Sequence, residues 1–136
     1  MAFLTQEQLV SMGFGSLGNN VLVSDKVSIY GANRIHIGSN VRIDDFCVLS
    51  AGEGGVFIGD YVHIAVFSLL IGAGRITISD FAGLSSRVSI YSSNDDYSGN
   101  FLTNPTVPAD YTNVNKADVV LGKHVIIGSG SVVLPG

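Results

Sequence analysis

The chain has 136 residues, room for one domain with no linker-joined second one. Charged residues make up 13%, about half the usual share, while glycine reaches 17 and tryptophan is absent, which fits a β-rich fold with many tight corners. A net charge of −4 without any Lys/Arg cluster excludes a broad nucleic-acid footprint, and the single cysteine, Cys47, excludes a disulfide framework and fits a reducing compartment.

In chain order, the N-terminus shows neither a basic segment nor an apolar core of a secretory leader. Residues Thr5 to Met12 predict a short helix, with Thr5 as N-cap, Gln8 three positions on and Gly13 as the stop. Such a helix would cover an open edge of whatever follows. The most apolar stretch, Val62 to Ala73, is broken by His63 and Ser68 and is too short to span a bilayer. The chain therefore reads as soluble and cytoplasmic.

Beyond the helix, aliphatic residues recur every six positions: Ile37, Ile43, Leu49; Ile58, Ile64, Leu70; Ile78, Leu84, Ile90; Leu121, Ile127, Val133. Four positions after most of them comes a small or branched residue, as at Val41, Cys47, Val62, Ser68, Ala82 and Val88. A longer period lies over this one, because Ile29, Leu49, Leu70 and Ile90 are spaced by 20, 21 and 20 residues. Each hexad is one short strand plus one corner. Three hexads close a triangular rung, with extra residues at one corner. Stacked rungs bury one aliphatic column per face. Glycine, Asn and Asp at the corners are expected to supply positive φ.

The register breaks once, from Tyr91 to Asp118. A loop of this length in a compact domain is a functional candidate. It carries Asn94, Asp95, Asp96 and Tyr97, then Tyr111 and Asn113, a mixture suited to a polyhydroxylated ligand. A packing arm between subunits is the competing reading. The chain then stops at Leu134-Pro135-Gly136, read as the middle of a rung, so a missing C-terminal continuation is expected.

The segments Ile37-Gly38-Ser39-Asn40-Val41-Arg42, Ile58-Gly59-Asp60-Tyr61-Val62-His63 and Val125 to Gly136 resemble the hexapeptide-repeat acyltransferases, in particular the maltose and galactoside O-acetyltransferase branch. The resemblance implies a left-handed parallel β-helix, acetyl-CoA as co-substrate, a sugar acceptor and a homotrimer with sites between subunits. Ser129, with Gly128 beside it, matches a cofactor-contacting position. The family places a histidine in the long loop to take the acceptor's proton, and here Asp95 stands in that register. Asp96 beside it is the feature that would raise its basicity. Asn94, Asp96 and Tyr97 are the sugar-binding candidates.

Of the three histidines, His36 and His63 each precede an inward aliphatic, so both point outward, on different faces. They cannot share one metal within a chain, and no metal is expected. His63 and His124, which flank the loop's root in neighbouring rungs, are the second and third candidates for the base.

O-acetyl transfer to a sugar or surface-polysaccharide precursor is the first reading. The missing loop histidine favours an alternative, N-acetyl transfer to an amino nucleotide sugar, because an amine demands less of a base. A non-catalytic scaffold or inactive fragment is the third.

Overall fold

A computed structural model describes residues 1–136. The first rung comprises β1 (Ser16–Leu17), β2 (Leu22–Val23) and β3 (Ser28–Tyr30); the second β4 (Ile35–Ile37), β5 (Arg42–Ile43) and β6 (Val48–Ala51). The third holds β7 (Val56–Ile58), β8 (His63–Ile64) and β9 (Leu69–Gly72); the fourth β10 (Ile76–Ile78), β11 (Gly83–Leu84) and β12 (Ser89–Tyr91). An arm containing β13 (Ser93–Asn94) and β14 (Asn115–Lys116) leaves the solenoid before the fifth rung, β15 (Val119–Leu121), β16 (Ile126–Ile127) and β17 (Val132–Val133). Strands at corresponding positions in successive rungs pair in parallel, which gives three five-stranded sheets. The fold is a parallel β-helix.

The six-residue spacing translates directly into register. Ile37 pairs with Ile58, Ile43 with Ile64, and Leu49 with Leu70. A single cluster of 23 buried residues fills the interior, and the small positions Val41, Cys47, Val62, Ala82 and Val88 belong to it. Three serines, Ser24, Ser68 and Ser92, are also buried, without orphaning a hydroxyl. Ser68 donates to the Ser85 carbonyl at 3.2 Å, and Ser92 to the Gly74 carbonyl at 2.8 Å. Burial raises the Cys47 thiol to about 11, so the one cysteine is a packing residue.

The corners match the sequence expectation only in part. Positive φ falls three residues after the inward aliphatic, at Asn20, Asn40 and Gly130 as expected, but also at Phe46, Tyr61, Phe67, Phe81, Arg87 and His124. The latter are bulky, and in the left-handed region each carries strain of about 1–2 kcal/mol. Stacking offsets it. Phe46 lies over Phe67 at 5.2 Å, Tyr61 over Phe81 at 5.0 Å, and Phe81 over His124 at 4.9 Å. Asn20 and Asn40 extend the second ladder through an amide–amide hydrogen bond of 3.2 Å. Glycine serves another purpose at Gly38 and Gly59, whose φ values are not positive. A Cβ at either would come within 2.4 Å of Asp60 or Asp80, whose carboxylates accept from the amides of Ser39 and Asp60 at 2.8 Å. The glycine permits the next rung's carboxylate to approach.

The N-terminal helix, α1 (Gln6–Ser11), closes the first rung. Thr5 and Gln8 form a reciprocal capping box, and Leu9 is buried in the core. The backbone before it is tied down too, since the Leu4 amide donates to the Val23 carbonyl at 2.8 Å. At the other end, β17 is the third strand of the fifth rung, so Leu134 to Gly136 follow a complete set of strands rather than interrupting one. The fifth rung starts only after the arm, at Val119, and the three hexads around Leu121, Ile127 and Val133 then complete it.

Candidate functional site

The outward positions of the second sheet run Leu22, Arg42, His63, Gly83 and Ile126 up the rungs. Gly83 interrupts this column. A Cβ placed on it meets nothing within 4 Å. The gap opens a shallow groove of about 380 Å³ lined by His63, Ala65, Gly83, Ser85, Ser86, Ile126 and Ser129, among others. Its walls are hydroxyls, one imidazole and the side chain of Ile126, which is 79% exposed.

His63 is oriented from the rung below. Its Nε2 lies 2.8 Å from Oδ2 of Asp44, whose other oxygen accepts from Nε of Arg42 at 2.7 Å. The Asp44 side chain is only 6% exposed, whereas His63 and Arg42 are half exposed. Burial pushes the Asp44 carboxyl up, but hydrogen bonds and charge from Arg42 and His63 outweigh it and hold it below its usual value. An ionised Asp44 fixes the ring so that Nδ1 is the nitrogen left for other partners.

The long excursion is an ordered arm. Its root is an antiparallel ribbon in which Ser93 pairs with Lys116 and Asn94 with Asn115. Further out, the Leu102 amide donates to the Tyr111 carbonyl at 2.7 Å. Asp96 holds the bend, accepting from the Ser98 amide at 2.8 Å and from Nδ2 of Asn113 at 2.8 Å. Hydrogen bonds from Ser98 and Asn113 keep its carboxyl below the usual range. Asp95 is free of such ties and half-buried, and it lines two cavities. One, of about 270 Å³, is bounded by Tyr91, Ser93, Asn94, Tyr97 and Leu134. The other, of about 220 Å³, lies within the arm and is bounded by Thr103, Pro105, Val107, Ala109, Thr112 and Val114.

The sequence-derived residues thus fall into two groups. His63 and Ser129 share the groove, with Gly128 next in chain to Ser129. Asn94, Asp95 and Tyr97 share the cavity at the arm's root, while Asp96 is engaged in shaping the arm. No cavity is lined by both groups. His124 belongs to neither; it is the last ring of a corner ladder, stacked on Phe81. His36 is likewise committed, with Phe57 stacked on it at 4.5 Å and Arg75 over that ring at 3.9 Å. No group of three or more His, Cys, Asp or Glu residues is placed to hold a metal ion. Asp44, Gly83 and Ser85 are the site features that reading the sequence missed. Gly83 had a signal, as the one residue without a side chain in a column of large ones.

No family model matches the chain. It is 64% identical over 135 residues to a dTDP-4-amino-4,6-dideoxy-D-glucose acyltransferase of Escherichia coli, covering 99% of this chain and 70% of that protein. Among solved structures it is similar to AntD, an N-acyltransferase from Bacillus cereus. A variant of AntD with an aspartate changed to asparagine, in complex with dTDP and coenzyme A, superposes with a TM-score of 0.94 at 50% identity, covering 100% of this chain and 72% of that one. A serine-to-cysteine variant in complex with dTDP-4-amino-4,6-dideoxyglucose and coenzyme A gives 0.92 at 50% identity, covering 98% and 70%. The complex with dTDP and 3-hydroxybutyryl-CoA also gives 0.92, at 50% identity and the same coverage.

Proposed function

The chain belongs to the hexapeptide-repeat acyltransferases, and we propose that it transfers an acyl group from acyl-CoA to the amino group of a dTDP-linked 4-amino-4,6-dideoxy sugar. The observation that carries this reading is the 64% identity to an acyltransferase of that substrate, over nearly all of the present chain. It favours N-acyl over O-acetyl transfer. It also agrees with the loop chemistry, since an amine needs no histidine to become nucleophilic.

In this reading the groove beside Gly83 takes the thioester end of acyl-CoA, with Ser129, Gly128, Ser85 and His63 around it. Asp95 faces the acceptor's amino group, with Asn94 and Tyr97 beside the sugar. Support for pairing Ser85 with Asp95 comes from spacing. The serine and the aspartate substituted in the AntD structures are ten residues apart. Ser85 and Asp95 keep that spacing, and so do Ser86 and Asp96, but Asp96 is occupied by Ser98 and Asn113.

The amine nitrogen attacks the thioester carbonyl carbon, so a C–N bond forms while the carbonyl becomes an oxyanion. Backbone amides of the groove steady that charge. Collapse breaks the C–S bond, and the proton lost by nitrogen passes through the Asp95 carboxylate to the departing thiolate. Groove and arm lie apart within one chain, so a homotrimer in which a neighbour's arm covers the groove completes the site.

Acceptor scope tests the proposal. The chain is incubated with acyl-CoA and either a dTDP-4-amino-4,6-dideoxy sugar or its 4-hydroxy counterpart, and free thiol release is followed. Release with the amino sugar alone is expected, and release with the hydroxy sugar alone would return the O-acyl reading. Asp95→Asn is expected to lower kcat/KM for the amino sugar about tenfold or more.

A further inference from the structure

The cavity inside the arm is unlike the rest of the site. Asp95 is its only charged lining residue, and Pro105, Val107, Ala109 and Val114 give it an apolar wall, with Thr103 and Thr112 beside them. At about 220 Å³ it is the smallest of the molecule's cavities, too small for a nucleotide. A carboxylate among the lining residues of a small apolar recess matches a ligand carrying an amino group next to a short alkyl group. A 4-amino-4,6-dideoxy sugar has that arrangement, because the C5 methyl sits on the carbon adjoining the amine-bearing one.

We infer that this recess seats the C6 methyl of the acceptor sugar, and that Val107 and Val114 discriminate 6-deoxy from 6-hydroxy amino sugars. The inference rests on the nucleotide-amino-sugar reading above. Asp95 accepts a hydrogen bond from the acceptor's amino group in the ground state, and the methyl then falls against the valines. A 6-hydroxyl there would lose its water, with Thr103 or Thr112 as the only side-chain hydroxyls of the lining within the recess to replace it. The arm thus acts as a specificity element. Its shape depends on Asp96 holding Asn113, one residue before Val114.

Calorimetric titration tests this with three probes: dTDP, a dTDP-4-amino-4,6-dideoxy sugar and the corresponding 6-hydroxy amino sugar. Wild-type protein is expected to prefer the 6-deoxy probe by about 10–100-fold. Val107→Thr, which keeps the shape and adds a hydroxyl, is expected to reduce that preference at least threefold while leaving dTDP binding unchanged. Val107 is part of an exposed arm, so the exchange spares the core. Asp95→Asn should weaken both amino sugars and spare dTDP. Equal binding of the two sugars by wild type, or an unchanged ratio in Val107→Thr, overturns the methyl seat and leaves the acyltransferase reading intact. If neither amino sugar binds better than dTDP, both readings fall.

Discussion

Filling the gap at Gly83 separates the groove's role in stability from its role in binding. Gly83→Val places three carbons at an outward strand position whose ladder neighbours are His63 and Ile126. A Cβ there meets nothing within 4 Å, and the residue's φ is not positive, so the exchange introduces neither clash nor backbone strain. Removing glycine's excess conformational freedom from a strand contributes about 0.5–1 kcal/mol. A new cross-strand contact with Ile126 adds roughly 0.2–1 kcal/mol. A net gain of about 1 kcal/mol should raise Tm by roughly 3–5 °C in a domain of this size. The same three carbons enter the groove proposed for the thioester end of acyl-CoA. Overpacking of about 1–3 kcal/mol there corresponds to binding weakened roughly 5- to 150-fold. Thermal melts and acyl-CoA titrations on one preparation therefore move in opposite directions. A raised Tm with unchanged acyl-CoA affinity would remove the groove from the cofactor site. A lowered Tm would refute the claim that Gly83 faces open space.

Two further predictions concern the scaffold. Phe67 adopts φ 59° and stacks on Phe46, so Phe67→Ala should cost about 1 kcal/mol in urea unfolding, while Phe67→Asn, better suited to that backbone, should recover part of it; an alanine variant as stable as wild type would mean that stacking does not hold these corners. Asp44 has a lowered folded-state pKa, so its ionised form contributes stability above the ordinary carboxylate range, and that contribution is lost as pH falls through the folded value. Asp44→Asn should accordingly be about 1–3 kcal/mol less stable than wild type at neutral pH, with the gap closing as pH falls below the ordinary carboxylate range. Melts at neutral pH and below that range check this, and a gap independent of pH would assign Asp44 a purely steric role.

Much of the scaffold was legible in the one-dimensional pattern. The hexads set which residues face inward, the 20- and 21-residue spacings set which stack, and Thr5 with Gln8 marked the helix start. The reason is that solenoid contacts are nearest-neighbour contacts at a fixed sequence interval, so spacing along the chain is equivalent to position in the fold. The aromatic corners were misread because a single hexad does not show its stack. Phe67 looks wrong for positive φ until Phe46 lies beneath it. The site depended on tertiary structure for a related reason. Asp44 reaches His63 across a rung, the groove exists only because Gly83 falls between His63 and Ile126, and Asp95 acquires its cavity from residues up to Val114 folding back as an arm. Periodicity dictates which face a side chain occupies. What it meets there is set by the neighbouring rungs and by the one segment that leaves the repeat, and neither follows from any single interval in the sequence.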